Sequence, residues 1–385
     1  MIHKVKAVTQ HVFLSLLIAI AISLSLVRFF LWGVESYKTE LENKIYQVTE
    51  ISVEIGMLRA GMRGFNPEIV LKNIDILGAD NHSPPAIKLE QVRLGINLLD
   101  LIWSQQLLPS SRVTLVGAKL SIVRKEDGSL SIAGLNSDDS EQPLWLLKGG
   151  RYEVLKSEIT WLDQQRHAKA VVFDNVDLLI KNQLDSEKHE IHLLSQLPEK
   201  MGKALTVSMS IEGNVFETDS ISGLVYIKGS DIQFAEILTG EKPLGLKTIA
   251  GSGDFELWSQ WQNSKRVALA GNIQAKNIGI KKQQQVFKID SLQSDFNGFK
   301  QSLGWQFGLS HFRASTEGKA WPEASFNVAA NNELTQFSTL INQLELQQFA
   351  ELIHFFVPLE QSIEKLVSKL ELKGQIKDFS AYVDT

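Results

Sequence analysis

The residues best suited to metal or acid-base chemistry in this sequence are its eight histidines, which are scattered along the chain. His189 and His192, in the run KHEIH, are the only pair close enough to consider as ligands. On a strand these two residues point to opposite faces, and on a helix no further ligand stands nearby. The pair therefore does not predict a metal centre, and we expect no cofactor.

Motifs for covalent catalysis or phosphate binding are also absent from the sequence. The run from Gly251 to Gly253 is followed by a strand pattern, whereas a phosphate-binding loop needs a third glycine that opens a helix. No Gly-x-Ser-x-Gly, His-Glu-x-x-His or P-loop pattern occurs. The sequence has no cysteine, which excludes disulfides, thiolate metal sites and cysteine nucleophiles. We predict no catalytic residues and no enzyme.

The overall charge argues against nucleic acid as a partner. The chain has 39 basic and 44 acidic residues, well mixed, for a net charge of -5, and so offers no broad basic surface. Its hydrophobic content of 44% is ordinary for a folded protein. The chain can therefore bury a core.

Apolar residues are the type that recurs at regular spacing. In residues 205–211 (LTVSMSI) every second side chain is apolar and its neighbours are polar, which is the period of a β-strand. Similar alternation recurs at 113–115, 120–122, 176–180, 221–227 and 267–273. This succession predicts a mainly β, antiparallel sheet with one apolar face. A second sheet could cover that face, or a curved sheet could leave it as an apolar trough for a ligand. The periodicity is compatible with both arrangements.

Three local patterns refine this expectation. Asp127-Gly128, between two alternating runs, predicts a tight hairpin turn. Residues 94–108 read as a strand that passes into a short helix, and residues 347–357 and 358–370 read as two helices that could cap the sheet.

Residues 12–32 form a long apolar run with one charge, that of Arg28. About 21 residues at ~1.5 Å each cover the roughly 30 Å hydrocarbon core of a bilayer. About fourteen Leu, Ile, Val and Phe side chains outweigh an arginine that lies near an end. The alternative is a cleaved signal peptide with Ala19-Ile20-Ala21 at its cleavage site, but the apolar run continues past these residues. We therefore predict an uncleaved transmembrane helix.

Charges on the two sides of this run predict its orientation. Lysines and histidines precede it and glutamates follow it, so residues 1–11 are expected to form a basic cytoplasmic tail. Helical spacing of Leu41, Ile45 and Val48 predicts a juxtamembrane helix over residues 33–50. Residues 51–385 then form a body on the far side of the membrane.

Several segments carry a family pattern. The predicted anchor is followed by residues 53–60 (VEIGMLRA), and a strand, helix, strand run ends at 123–130 (VRKEDGSL). Further segments are 157–163 (SEITWLD), 304–307 (GWQF) and 318–322 (GKAWP). Together they resemble the AsmA-like envelope proteins, and among these the YhdP branch. The resemblance covers essentially the whole chain. Because members of this branch are far longer, we expect these residues to be an N-terminal portion that continues beyond residue 385.

The resemblance implies a single-pass anchor in the inner membrane of a Gram-negative cell. It implies a periplasmic body, an elongated, curled, groove-like antiparallel β-sheet with a few short capping helices. The implied function is phospholipid transport through the apolar groove from the inner toward the outer membrane. Implied partners are phospholipids, the inner membrane and other envelope proteins, without catalytic residues or cofactors.

The residues expected to line the groove are the apolar members of the alternating runs. They are Val113, Leu115, Leu120, Ile122, Val176, Leu178, Ile180, Leu205, Val207, Met209, Ile211, Val225, Ile227, Val267, Leu269 and Ile273. The same side chains could form a dry core, and the alternative function is then a non-transporting scaffold for outer-membrane biogenesis. An enzyme is a third alternative, but no residues of the sequence support it.

Overall fold

The structure is a computed structural model of the chain. It describes residues 31–49, 52–77, 87–127, 130–132, 149–165, 169–183, 187–213, 221–238, 245–356 and 373–384. The predicted tail at 1–11, nearly all of the predicted transmembrane helix at 12–32, and the predicted helix at 358–370 lie outside these residues. None of the described helices combines the length and the apolar composition that a bilayer span requires.

The described residues are mainly β-strand with a few short helices, as predicted. A 3₁₀ helix at Leu31–Tyr37 continues into helix α1 at Lys38–Thr49, and the other helices are α2 (Leu98–Ser104), α3 (Phe234–Ile237) and α4 (Leu346–Phe356). The first strands are β1 (Val53–Arg63), β2 (Asn66–Ile76), β3 (Ile87–Ile96), β4 (Ser111–Val116), β5 (Lys119–Arg124), β6 (Leu130–Ile132), β7 (Arg151–Asp163), β8 (Val171–Asn182) and β9 (Lys188–Gln196). They are followed by β10 (Ala204–Glu212), β11 (Ser222–Gln233), β12 (Leu246–Gln262), β13 (Lys265–Lys282), β14 (Gln285–Gln301), β15 (Gly304–Thr316), β16 (Lys319–Ala320), β17 (Ala324–Asn331), β18 (Gln336–Glu345) and β19 (Gln375–Asp384).

The chain divides into two compact units, Met1–His189 and Glu190–Thr385. In the first unit, β1, β2 and β3 form an antiparallel meander. Strands β4 and β5 follow each other along β3, and both pair in parallel with β7, which pairs antiparallel with β8. The prediction of an antiparallel sheet is therefore wrong at β7. Residues 125–150 separate β5 from β7, which is enough chain to re-enter the sheet in the same direction.

Strands β5 and β6 pair antiparallel, which confirms the reversal predicted at Asp127. The last pair in register is Arg124 with Leu130, so the connection covers residues 125–129 instead of a two-residue turn. Lys125 and Glu126 lengthen the connection, since these residue types are depleted from strands.

A line of kinks crosses the sheet of the first unit. Asn73, Gly117, Lys156 and Asn175 have φ values of 53°, 63°, 49° and 48°, the left-handed region, inside or between strands. The registers place Gly117 beside Lys156, and Gly56 beside Asn73. A Cβ at Gly56 would lie 2.9 Å from the Cβ of Asn73, so the close approach of these two strands requires glycine. Each kink adds a residue that does not alternate, and side chains three positions apart then share a face.

The buried core of the first unit lies along this line. Ile55 and Leu58 on β1, and Leu71 and Ile74 on β2, are three positions apart and belong to one apolar cluster. Leu41 and Ile45 of helix α1 pack against the same cluster, together with Val34 of the 3₁₀ helix. The Ile55 N–H donates to the Glu42 carboxylate at 2.8 Å, which fixes the helix on β1. A helix therefore covers part of the apolar face of this unit.

In the second unit the strands pair antiparallel with their neighbours in sequence, as predicted. The order is β10 to β15 and then β17, β18 and β19, with the short β16 beside the end of β15. Kinks recur here at Asp231 and His311. The Asp231 N–H donates to the Asp254 carboxylate at 2.7 Å, and the Ser325 N–H donates to the Asn342 Oδ1 at 2.6 Å. Side chains of neighbouring strands thus satisfy backbone donors where the ladder is interrupted.

Candidate functional site

The second unit carries a continuous row of apolar residues across nine strands. Directly paired residues of adjacent strands lie on the same face of a sheet, so the registers trace the row from strand to strand. Its members, called here the apolar row, are Val207, Ile227, Leu257, Gly271, Phe296, Leu309, Phe326, Ile341 and Phe379. The face of β10–β19 that carries this row is called the apolar face.

The groove-lining residues predicted on β10, β11 and β13 lie together on this face. Val207 and Ile227 belong to the apolar row, and Met209, Val225 and Leu269 lie in the neighbouring row, joined through Ser259. The remaining predicted residues of this unit follow the same alternation: Leu205, Ile211, Val267 and Ile273. All nine side chains are half-buried. That these residues line a ligand groove stays a prediction.

The opposite face of the same strands, called here the polar face, is richer in polar residues. One row of directly paired residues across six strands consists of Thr206, Lys228, Glu256, Asn272, Asp295 and Ser310. The Lys228 ammonium lies 2.9 Å from the Glu256 carboxylate, and its hydrogen bond to Glu256 raises the pKa of Lys228. The neighbouring row on this face includes two aromatic rings, those of Tyr226 and the exposed Trp258, whose centroids are 5.1 Å apart.

Aromatic rings on the apolar face lie over glycines of the neighbouring strand. Phe296 is paired with Gly271, where an added Cβ would be 2.4 Å from the ring. Phe255 is paired with Gly229, where the ring would again be 2.4 Å from an added Cβ. Because glycine has no side chain, each ring can lie down on the sheet. The rings widen the apolar surface without building a second layer upon it.

A cavity of about 300 Å³ lies at one end of these strands and is lined almost entirely by apolar atoms. Its walls are Ile211, Ile221, Gly223, Val225, Trp261 and Ser264. Two of these, Ile211 and Val225, are predicted groove residues. The volume is at the lower end of the range that small-molecule sites occupy.

Little protein covers the apolar face among the described residues of the second unit. Of the described helices, α3 contacts β11 and β12, and α4 contacts β18. Helix α4 covers one end, where the rings of Phe355 and Phe356 lie 5.3 and 5.8 Å from the ring of Phe287. A sandwich would place a second, separate sheet over this face, whereas all described strands of this unit belong to one sheet.

The predicted groove residues of the first unit have different surroundings. Val113, Leu115, Leu178 and Ile180 lie on one face, joined through Tyr152 and Val154 of β7. The one extra residue at the Gly117 kink brings Leu120 and Ile122 to that face as well, and Leu115 and Leu120 pack against the cluster that helix α1 covers. Val176 is 1% exposed and is a core residue. In this unit the apolar face is in part a packed core.

The strongest electrostatic feature of the first unit is a buried carboxylate. Glu153 on β7 accepts hydrogen bonds from Arg112 and Arg151 at 2.7 Å and from the Thr114 hydroxyl at 2.8 Å. Burial alone would raise the pKa of Glu153, but these hydrogen bonds and the two guanidinium charges outweigh it and lower the pKa to about 2. The arrangement ties β4 to β7, and the charge-neutralised carboxylate has no role as an acid or base near neutral pH.

The histidine pair is separated, as its spacing on strand β9 predicts. His189 is buried, and its Nδ1 lies 2.7 Å from the Asn182 Oδ1, whereas the His192 Nδ1 lies 3.1 Å from the Ser208 hydroxyl. Burial lowers the pKa of His189. Among the described residues no cluster of three or more His, Asp or Glu side chains could hold a metal ion.

Sequence reasoning missed the aromatic and leucine residues of the apolar face on β12, β14, β15 and β17. The missed residues are Phe255, Leu257, Trp261, Phe296, Phe307, Leu309 and Phe326. Residues 254–261 (DFELWSQW) carry apolar side chains on both faces, which hides the alternation. These aromatic residues could have been found from a glycine on one strand that lies opposite a phenylalanine on the next strand.

Comparison with known families decides what this architecture belongs to. The family model described as "YhdP protein" matches residues 1–385. The chain belongs to the YhdP family. This confirms the resemblance seen in the sequence.

Among curated proteins, this YhdP-family chain is similar to the intermembrane phospholipid transporter YhdP of Escherichia coli (strain K12). The two are 20% identical over 336 residues, which cover 82% of this chain and 24% of that protein. The chain thus spans about a quarter of the length of its curated relative. No solved structure matches the chain.

Proposed function

We propose that this YhdP-family chain carries phospholipids, with their acyl chains on the apolar face of the second unit. The apolar row across nine strands, all of which belong to one sheet among the described residues, is the observation that supports this proposal. An acyl chain of about sixteen carbons costs on the order of 12 kcal/mol to expose to water, at roughly 0.8 kcal/mol per methylene. A continuous apolar surface removes most of that barrier.

The proposed setting follows from the sequence and from the family. Residues 12–32 anchor the chain in the inner membrane with residues 1–11 in the cytoplasm, and the β-rich body lies in the periplasm. Phospholipid then moves along an elongated, curled sheet from the inner toward the outer membrane. Because this chain spans 24% of its curated relative, the remaining path would be formed by further residues.

Site-specific photocrosslinking tests this proposal. A photoreactive residue at Val207, Met209 or Leu257, on the apolar face, is expected to capture phospholipid in cells that make the full protein. Ser210 on β10 is a matched control, because it is exposed and points to the polar face. Equal capture at Ser210 and Met209, or none at any of the apolar positions, would refute the lipid path.

A non-transporting scaffold for outer-membrane biogenesis is the second candidate. It is favoured by the first unit, where helix α1 fills part of the apolar face with Leu41 and Ile45. A scaffold predicts that polar substitutions on the apolar face impair function only to the extent that they unfold the protein. The conduit predicts impairment in a protein that is still folded.

A further inference from the structure

The first unit carries an exposed apolar surface at one end of its strands. Helix α2 has no buried residue, and Trp103 and Ile102 are 90% and 72% exposed. Leu99 on the same helix, Phe65 in the β1–β2 turn and Leu107 after the helix are also exposed. These five residues are called here the apolar tip. A soluble surface rarely collects so many large apolar side chains without a partner.

Hydrogen bonds hold the apolar tip in place. The Asn97 side chain caps α2 by accepting from the N–H groups of Leu99 and Asp100. The Leu98 N–H donates to the Asn66 Oδ1 at 3.0 Å, which joins α2 to the β1–β2 turn. The Ser110 hydroxyl donates to the Gln106 carbonyl at 2.7 Å and fixes the segment that returns to β4. These hydrogen bonds hold the backbone of the tip in the conformation that exposes its apolar side chains.

Basic side chains lie directly behind the tip. A cavity of about 340 Å³ adjoins α2, and its walls include the side chains of Arg63, Arg112, Arg151 and Lys181 as well as the acidic Glu68 and Asp100. Arg63 reaches Glu153 only at 3.8 Å and is 46% exposed. An apolar tip with tryptophan in front of arginine and lysine is the composition of a lipid interface, where rings meet acyl chains and cations meet phosphates.

The helical segment before β1 runs toward this same end of the unit when it is followed back toward the predicted anchor. Glu42 of α1 binds the N–H of Ile55, and the earlier residue Glu35 lies 3.6 Å from Arg59. Followed backward, the helical segment therefore runs along β1 toward Arg63 and the turn that carries Phe65. Leu31, its first described residue, directly follows most of the predicted membrane span.

We propose that the apolar tip docks on the surface of a phospholipid bilayer, the one that holds the N-terminal segment of this chain. Phe65, Leu99, Ile102, Trp103 and Leu107 enter the level of the upper acyl chains, and the half-exposed Arg63 behind them faces the phosphates. This docking goes beyond the proposed function, because it does not depend on whether lipid moves along the second unit.

The test uses a fluorescent label on the full chain, reconstituted in vesicles of phosphatidylethanolamine and phosphatidylglycerol. The sequence has no cysteine, so Ile102→Cys places the only label, and at an exposed site that leaves the fold intact. Lipids that carry a quencher in the upper acyl chain are expected to quench this label several-fold more than a label at Val172→Cys. Val172 is an exposed apolar position paired with Thr160, about 30 Å along the strands from Ser111.

A second variant separates docking from mere proximity. Adding Trp103→Asp to Ile102→Cys is expected to return the quenching toward that of the Val172 label, since a charge at the tip opposes insertion. Equal quenching at the two label sites overturns the proposal. A label at residue 102 that is shielded from water but insensitive to quencher lipids also overturns it, because protein would then cover the tip. Neither result bears on crosslinking at Val207 or Met209, which tests transport separately.

Discussion

Glu153 shows at the residue scale how a buried charge can hold strands together. Its carboxylate receives two guanidinium groups and a hydroxyl, and its pKa falls from an ordinary value of 4.5 to about 2. A group whose pKa is lowered by folding stabilises the folded state above its unfolded pKa and loses that contribution as the pH falls through the folded pKa. The window for Glu153 therefore lies between about pH 4.5 and pH 2.

Glu153→Gln is expected to lower the free energy of unfolding by about 3 kcal/mol at pH 7, because it leaves Arg112 and Arg151 without their carboxylate. Urea denaturation followed by circular dichroism measures this loss. Between pH 4.5 and pH 2 the stability of the variant should fall less steeply than that of the parent. Glu158→Gln is the control, since its pair with Lys119 is exposed and 3.8 Å long, and it should change stability by less than about 1 kcal/mol. Equal losses in both variants would contradict this assignment.

Kinked strands are the distinguishing feature at the element scale. Lys156 adopts a φ of 49° inside β7, and its N–H donates to the Asp177 carboxylate of β8 at 2.8 Å. The same solution recurs in the second unit at Asp231 with Asp254. At both of these kinks an aspartate on the neighbouring strand thus replaces a missing ladder bond.

Removal of one such acceptor should be measurable. Asp177→Ala is expected to lower the free energy of unfolding by about 1 kcal/mol, because the Lys156 N–H loses its partner. Asp177→Asn keeps an acceptor oxygen and should retain most of the stability, as judged from urea midpoints at constant slope. If the alanine and asparagine variants were equally stable, the bond would not support the kink.

The apolar face of the second unit matters at the scale of the whole molecule, because a lipid path must be continuous. One charge in the apolar row interrupts it, since a carboxylate has to be kept hydrated or to be buried at a cost. In a scaffold, the same charge matters only through stability. Leu257 lies in the third strand of the row, paired with Ile227 and Gly271.

Leu257→Asp is expected to slow phospholipid movement about tenfold, which corresponds to about 1.4 kcal/mol in a barrier. Pulse-labelling of phospholipid and separation of the two membranes measures the rate, and thermal unfolding of the purified protein reports its stability. Gln260→Asp, at an exposed position on the polar face of the same strand, is the control and should move lipid at the parental rate. Unchanged transport in a folded Leu257→Asp protein would favour the scaffold.

The sequence by itself determined the strand class and, in stretches of strand without a kink, which residues share a face. The reason is that a period of two is a local property, so residues 205–211 and 267–273 could be placed without knowledge of their partners. The same local reading predicted the passage from strand to short helix within residues 94–108, where β3 ends at Ile96 and α2 spans Leu98–Ser104.

Tertiary structure alone decided how these faces are covered and where they bend. The parallel pairing of β4 and β5 with β7 depends on partners far apart in sequence, and so does the packing of Leu41 on Leu58 and its neighbours. The kinks at Asn73 and Lys156 depend on the neighbouring strand, because the close approach and the replacement hydrogen bond come from it. The apolar residues of each strand can be read from the sequence. Whether they form one row across nine strands depends on the register of each strand with its neighbour, which only the tertiary structure defines.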